Sequence, residues 1–198
     1  MFLRKLIGGN CQSHTEPAHS RRRFLKTGIG ACTLLTLPLA IPQAYAKSLA
    51  ERKLDFLNLH TGERVQSVYW AEGQYIPDAL QAIGKVLRDH RTGDIHAIDT
   101  NLLNMLHLIH SQLDSNHEFH VISGYRSPAT NGKLSAHSNG VAKRSLHMQG
   151  KAIDVRLPGY KLTDLRAAAL SLAVGGVGFY PGSDFLHLDT GQARSWAG

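Results

Sequence analysis

Cysteine is nearly missing from this chain. Its 198 residues include two, Cys11 and Cys32, both ahead of residue 47. Residues 47–198 therefore have no disulfide framework and no thiol nucleophile. Long apolar runs are missing too. The best stretch, Thr27 to Pro42, is about 16 residues broken by Pro38, Thr and Gly, short of the roughly 18 that a membrane span needs. Acidic residues are few, 15 against 22 Lys and Arg, for a net charge of +7. That excess sits at the front: residues 1–46 hold six basic residues and one acid, which leaves +2 for the rest and removes the case for a nucleic-acid partner. Neither a Gly-x-Ser-x-Gly elbow nor a Ser-x-x-Lys motif occurs, so Ser123, Ser127 and Ser145 lack the setting of a serine nucleophile. Repeats and low-complexity segments are also missing.

The front segment reads as an address. Ser20-Arg21-Arg22-Arg23-Phe24-Leu25-Lys26, a weakly apolar stretch and Ala44-Tyr45-Ala46 resemble a twin-arginine signal peptide cleaved after Ala46. A lipid-attachment box around Cys32 fits poorly, because the apolar run continues past it. The expectation is export to the periplasm, no stable membrane anchor after cleavage, and a single domain over 47–198. Twin-arginine export carries folded proteins, which suits a domain free of disulfides.

Within that domain, residues 54–70 read as a hairpin, with strands at 118–123, 152–156, 177–180 and 185–189. Helices are expected over 77–90, from a Thr100 cap through Leu113, over 128–138, and from Thr163 through Ala173. Strands at both ends with helices between them, without a regular βαβ alternation, predict an α+β fold with a mostly antiparallel sheet.

Ten of the twelve histidines lie beyond residue 46. His107 and His110 share a helix face, but the sequence places no third ligand near them. They read as solvated or half-buried rings, as do His60, His90, His96, His117, His120 and His137. His147 and His187 differ. Ser145-Leu146-His147-Met148-Gln149-Gly150-Lys151-Ala152-Ile153-Asp154 sets a histidine in a loop, a glycine where the backbone turns, and an aspartate in the following strand. Imidazole and carboxylate are ligands that zinc takes in an open catalytic site, and His187, in Phe185-Leu186-His187-Leu188-Asp189, is the natural third.

The spacing Ser-x-His-x-x-Gly-x-Ala-x-Asp resembles the signature of the D-Ala-D-Ala dipeptidase and carboxypeptidase metallopeptidases, a group related in fold to lysostaphin-type enzymes and the hedgehog signalling domain. A chance match to its five fixed positions is on the order of one in a million per starting residue. With Ser123-Gly124-Tyr125-Arg126-Ser127 and Asp184 to Asp189 in the same order, residues 100–196 resemble the exported murein endopeptidase branch of that group. The resemblance implies Zn2+ held by His147, Asp154 and His187, with Ser145 as a supporting hydrogen-bond partner. It also implies Arg126 facing the substrate, where it would stabilise the oxyanion. The general base of the dipeptidases lies three residues before the last ligand, and that place is Asp184 here. Asp189, two residues past His187, is the competitor; otherwise it is a supporting residue.

The implied activity is zinc-dependent hydrolysis of peptidoglycan stem-peptide cross-links that involve D-amino acids or meso-diaminopimelate. Two rivals remain at this stage. One is a D-Ala-D-Ala carboxypeptidase or dipeptidase, and the other is a non-catalytic zinc- or cell-wall-binding module.

Overall fold

The computed structural model describes residues 51–138 and 140–198. The expected signal peptide lies outside the described residues. Alternating apolar residues form β1 (Glu51–Asn58), where Leu54 and Phe56 are buried, and a turn through Gly62 leads into β2 (Arg64–Ala71). A short β3 (Gln74–Tyr75), which the sequence did not suggest, pairs back on β2. Helix α1 (Pro77–Val86) starts with proline in its first turn, where no amide donor is missed, and buries Ala79, Ile83 and Val86. It ends four residues earlier than expected. Beyond it the chain bends so that Asp89 is buried and caps neighbouring amides instead of extending the helix.

Helix α2 (Thr100–Gln112) is capped by Asp99, which accepts from the Asn101 amide at 2.9 Å; Thr100, the expected cap, is the first helical residue. Strand β4 (Phe119–Ser123) and α3 (Pro128–His137) follow, then a 3-10 turn at Leu146–Gln149. Next come β5 (Ala152–Arg156), α4 (Leu162–Ser171) and β6 (Gly176–Tyr180). After a second 3-10 turn at Pro181–Ser183, β7 (Phe185–Asp189) and β8 (Arg194–Ala197) close the fold. The polar segment that forms β8 has no alternating pattern, so it escaped the sequence reading.

The eight strands among the described residues form one sheet in the order β3-β2-β1-β4-β5-β7-β6-β8. The β1–β4 and β6–β8 pairs are parallel and the rest antiparallel, so the fold is α+β with a mostly antiparallel mixed sheet. Phe119 and Val121 of β4, Ile153 and Val155 of β5, and Leu186 and Leu188 of β7 join residues of α1, α2 and α4 in one apolar cluster. Because strand side chains alternate, burying those residues turns their neighbours Asp154, His187 and Asp189 to the opposite face.

Candidate metal centre

The register of the sheet lines the site up in one transverse row. Ser123 lies opposite Asp154, Asp154 opposite His187, His187 opposite Gly178, and Gly178 beside Trp196. An irregularity in β4 between Val121 and Ser123 brings Ser123 into that row. His147 comes from outside the sheet, on the 3-10 turn. Ser145 caps that turn by accepting from the His147 amide at 3.3 Å. Gly150 ends it at φ +64, where a Cβ would also lie 2.1 Å from the Ala97 carbonyl oxygen, so both backbone shape and space require glycine.

Three ligand atoms converge. His147 Nε2 lies 3.2 Å from His187 Nδ1 and 3.3 Å from Asp154 Oδ1, and His187 Nδ1 lies 2.8 Å from that same oxygen. Four-coordinate zinc with bonds of about 2.0–2.1 Å sets its ligand atoms roughly 3.3 Å apart, so the three fit such an ion closely. The far side of each ring fixes which nitrogen is available. His147 Nδ1 is 2.7 Å from the Gly124 carbonyl, which can only accept, so Nδ1 carries the proton and Nε2 offers its lone pair. His187 Nε2 donates to Asp189 Oδ2 at 3.1 Å, which leaves Nδ1 facing Asp154. Both are the backing contacts that metal-binding histidines use. Among the described residues, His147, Asp154 and His187 form the one group of at least three His, Cys, Asp or Glu side chains placed to hold an ion.

Burial by itself would raise the pKa of Asp154, but His147 and His187 pull its carboxyl well below the usual range. Burial would likewise depress His187, yet hydrogen bonds to Asp154 and Asp189 outweigh it and hold the ring up at about 9. A cation at His187 Nδ1 would compete with the proton that this shift favours.

Asp189 is fully buried and has no free valence. Besides His187 it accepts from Arg194 Nη2 at 2.7 Å, Arg194 Nη1 at 3.1 Å, the Gly176 amide at 3.0 Å and the Gly191 amide at 2.8 Å. Arg126 also reaches the site. Its Nη2 donates to Ser123 Oγ at 3.2 Å and lies 3.6 Å from Asp154 Oδ2, its Nη1 is 3.5 Å from Asn131 Oδ1, and its buried Nε has no partner among the described residues.

Asp184 is not brought in. It sits in the left-handed region at φ 52, its side chain is 62% exposed, and its carboxylate pairs with Arg156 Nη1 at 3.0 Å. It lines a neighbouring hollow with His120 and Arg156, not the cavity of the three ligands. The Pro181–Ser183 turn does bend the chain, but the bend carries Asp184 outward. Of the seven residues singled out from sequence, His147, Asp154, His187, Arg126, Ser145 and Asp189 therefore gather at one place and Asp184 stands apart.

The cavity over the ligands has a volume of about 350 Å³. Its aromatic side is formed by Tyr180 stacked on Phe185 at 4.6 Å and by Trp196, whose Nε1 donates to Tyr180 Oη at 2.8 Å. The sequence reading missed this wall along with Arg194 and Asn131. Phe185 could have been found by strand parity with His187, whereas Tyr180 depends on the β6–β7 register and Arg194 and Trp196 carry no local signal.

A family model described as peptidoglycan L,D-endopeptidase MepK matches residues 46–196. The chain belongs to this family. The family is part of the D-Ala-D-Ala metallopeptidase group. Among its relatives, peptidoglycan L,D-endopeptidase MepK of Escherichia coli K12 is 39% identical over 180 residues, covering 89% of this chain and 97% of that protein. The Haemophilus influenzae protein called probable peptidoglycan L,D-endopeptidase MepK is also 39% identical over 180 residues, covering 90% and 96%.

Proposed function

We propose that this chain is a zinc-dependent murein endopeptidase that hydrolyses peptide cross-links between peptidoglycan stems, at the L,D bond named for its relatives. The convergence of His147, Asp154 and His187, each ring pinned through its other nitrogen, is the observation that carries the reading. When bound, zinc supplies Lewis acidity that polarises an amide carbonyl and makes water a nucleophile near neutral pH. The chain supplies the rest. Arg126, held by Ser123 and Asn131, points fixed donors toward the carbonyl oxygen and stabilises the charge that develops there. The aromatic wall of Tyr180, Phe185 and Trp196 packs the stem and limits water. Asp184, paired with Arg156 over a neighbouring hollow, would have to leave that partner and turn inward to reach the ligands.

Export on a twin-arginine signal, cleavage after Ala46 and a periplasmic location belong to the same proposal. The leader motif supports them, and so does the meeting of this polymer with the implied activity in that compartment. Among the described residues no helix is long and apolar enough to cross a membrane. The small net charge beyond residue 46 argues against nucleic acid. We also propose that the sheet and its site share the hedgehog and D-Ala-D-Ala peptidase architecture.

Digestion of purified cross-linked muropeptides, with products identified by mass, tests the reading. Dimers should become monomers, the reaction should stop with chelator, and zinc should restore it. Release of D-Ala alone would support the carboxypeptidase, and a folded, zinc-loaded protein without turnover would support a binding module.

A further inference from the structure

The cavity over the ligands is lined by three arginines and two aspartates, and their charges do not balance. Asp154 faces both histidines and Arg126, while Asp189 is taken up by His187 and Arg194. Arg144 is left over. It lines the cavity, is exposed, and has no hydrogen bond or ion pair among the described residues.

The backbone that carries Arg144 is nonetheless held in place. Asn131 is buried at 2% exposure, and its Nδ2 donates to the carbonyls of Ala142 at 3.1 Å and Lys143 at 3.3 Å. The oxygen of that same amide receives Arg126 Nη1. On the other side of Arg144, Ser145 caps the turn that bears His147. Arg144 thus stands between two anchors, one shared with Arg126 and the other with a candidate metal ligand. A guanidinium has a rigid fork of donors suited to a carboxylate, and one carried on anchored backbone at the edge of a cavity whose two aspartates already have partners is matched to an acid on the substrate.

We propose that Arg144 is a specificity-determining residue that receives a substrate carboxylate beside the scissile amide. The inference rests on the endopeptidase reading. When one amine of diaminopimelate is acylated in a cross-link, the carboxylate on the same carbon stays free, next to the bond to be cut. Arg144 binds that group and sets a preference for cross-links that keep it.

The test compares two cross-linked muropeptide dimers, one with this carboxylate free and one with it amidated, using the zinc-loaded protein and its Arg144→Gln and Arg144→Lys variants. Zinc content is measured for each. Wild type should cut the free acid with kcat/KM tenfold or more above the amide. Arg144→Gln should bring that ratio close to one, mostly through KM, and Arg144→Lys should recover part of it. A ratio near one in wild type, or a wild-type ratio kept by Arg144→Gln, overturns the role of Arg144 and leaves the endopeptidase standing. Cleavage of neither dimer overturns the endopeptidase reading and Arg144's role with it. Arg144-dependent release of D-Ala from an uncross-linked stem would place the bound carboxylate at a chain terminus and overturn the position proposed here.

Discussion

Two aspartates near His187 have opposite surroundings, and this decides what each can do. Asp189 accepts from two amides, an arginine and an imidazole, and is entirely enclosed, so its charge is spent on holding His187. Asp184 is solvated and held by Arg156 outside the cavity. Asp184→Ala should therefore keep activity within about threefold, because removing a true general base costs about 10²–10⁴. A hundredfold loss at unchanged zinc content would instead show that the carboxylate leaves Arg156 and enters the site. His110 provides a second test at this scale, through stability. Buried against Phe119 at a ring distance of 4.3 Å, it has its pKa depressed to about 4, chiefly by desolvation. Its unfolded value is near 6.5, so between these two the unfolded chain binds more protons and stability falls with falling pH. The cost is absent above pH 6.5 and accumulates as pH drops toward 4. Urea unfolding at pH 7 and pH 4.5 should show His110→Leu losing about 2 kcal/mol less than wild type over that interval.

The turns between elements help to position the site along with the strands. Asp89 lies just beyond α1, yet its Oδ2 accepts from the Ser127 amide at 2.9 Å, and it fixes the β4–α3 connection in which Arg126 sits. Burial would raise its pKa, but hydrogen bonds from Thr130, Arg91 and Ser127 reverse this and keep it ionised. Asp89→Ala leaves these buried donors unpaired, at a cost of about 1–3 kcal/mol, and loosens Arg126. Chemical denaturation should show that loss, with kcat falling more than zinc content. Gly150→Ala has two faults at once, a positive φ and a carbonyl 2.1 Å from the new Cβ. The 3-10 turn must then shift and take His147 with it. Zinc titration should show affinity reduced tenfold or more, the scale seen when groups that orient ligands are disturbed.

At the scale of the whole molecule, a metal bound by these three residues would be coupled to stability. The three candidate ligands come from the 3-10 turn, β5 and β7, and unfolding separates them. An ion bound only by the folded state at a hundred times its dissociation constant adds about 2.7 kcal/mol. Chelator should lower the melting temperature by several degrees and abolish muropeptide cleavage together, and added zinc should restore both, as read by calorimetry and product masses.

Core strands, helices and ligand spacing were legible in the sequence because each depends on local order. Apolar alternation in 185–189 and 152–156 marks strands, and the Ser145-to-Asp154 pattern carries a turn, a ligand and a strand within ten residues. The resemblance of that pattern to a known signature gave His147, Asp154 and His187 a common expected chemistry before any contact was seen. Sheet register lay beyond local order. Pairing Ser123, Asp154, His187 and Gly178 in one row depends on neighbours up to dozens of residues apart and on an irregularity in β4. The direction of Asp184 was equally hidden, since it follows from one backbone φ and the nearness of Arg156 at the end of β5. So was the charge left unmatched at Arg144, which shows only once the acids around it have found their partners. Sequence determined which groups this protein has for its chemistry; tertiary structure decided which of them face one another, because contact across a sheet is set by register and not by spacing along the chain.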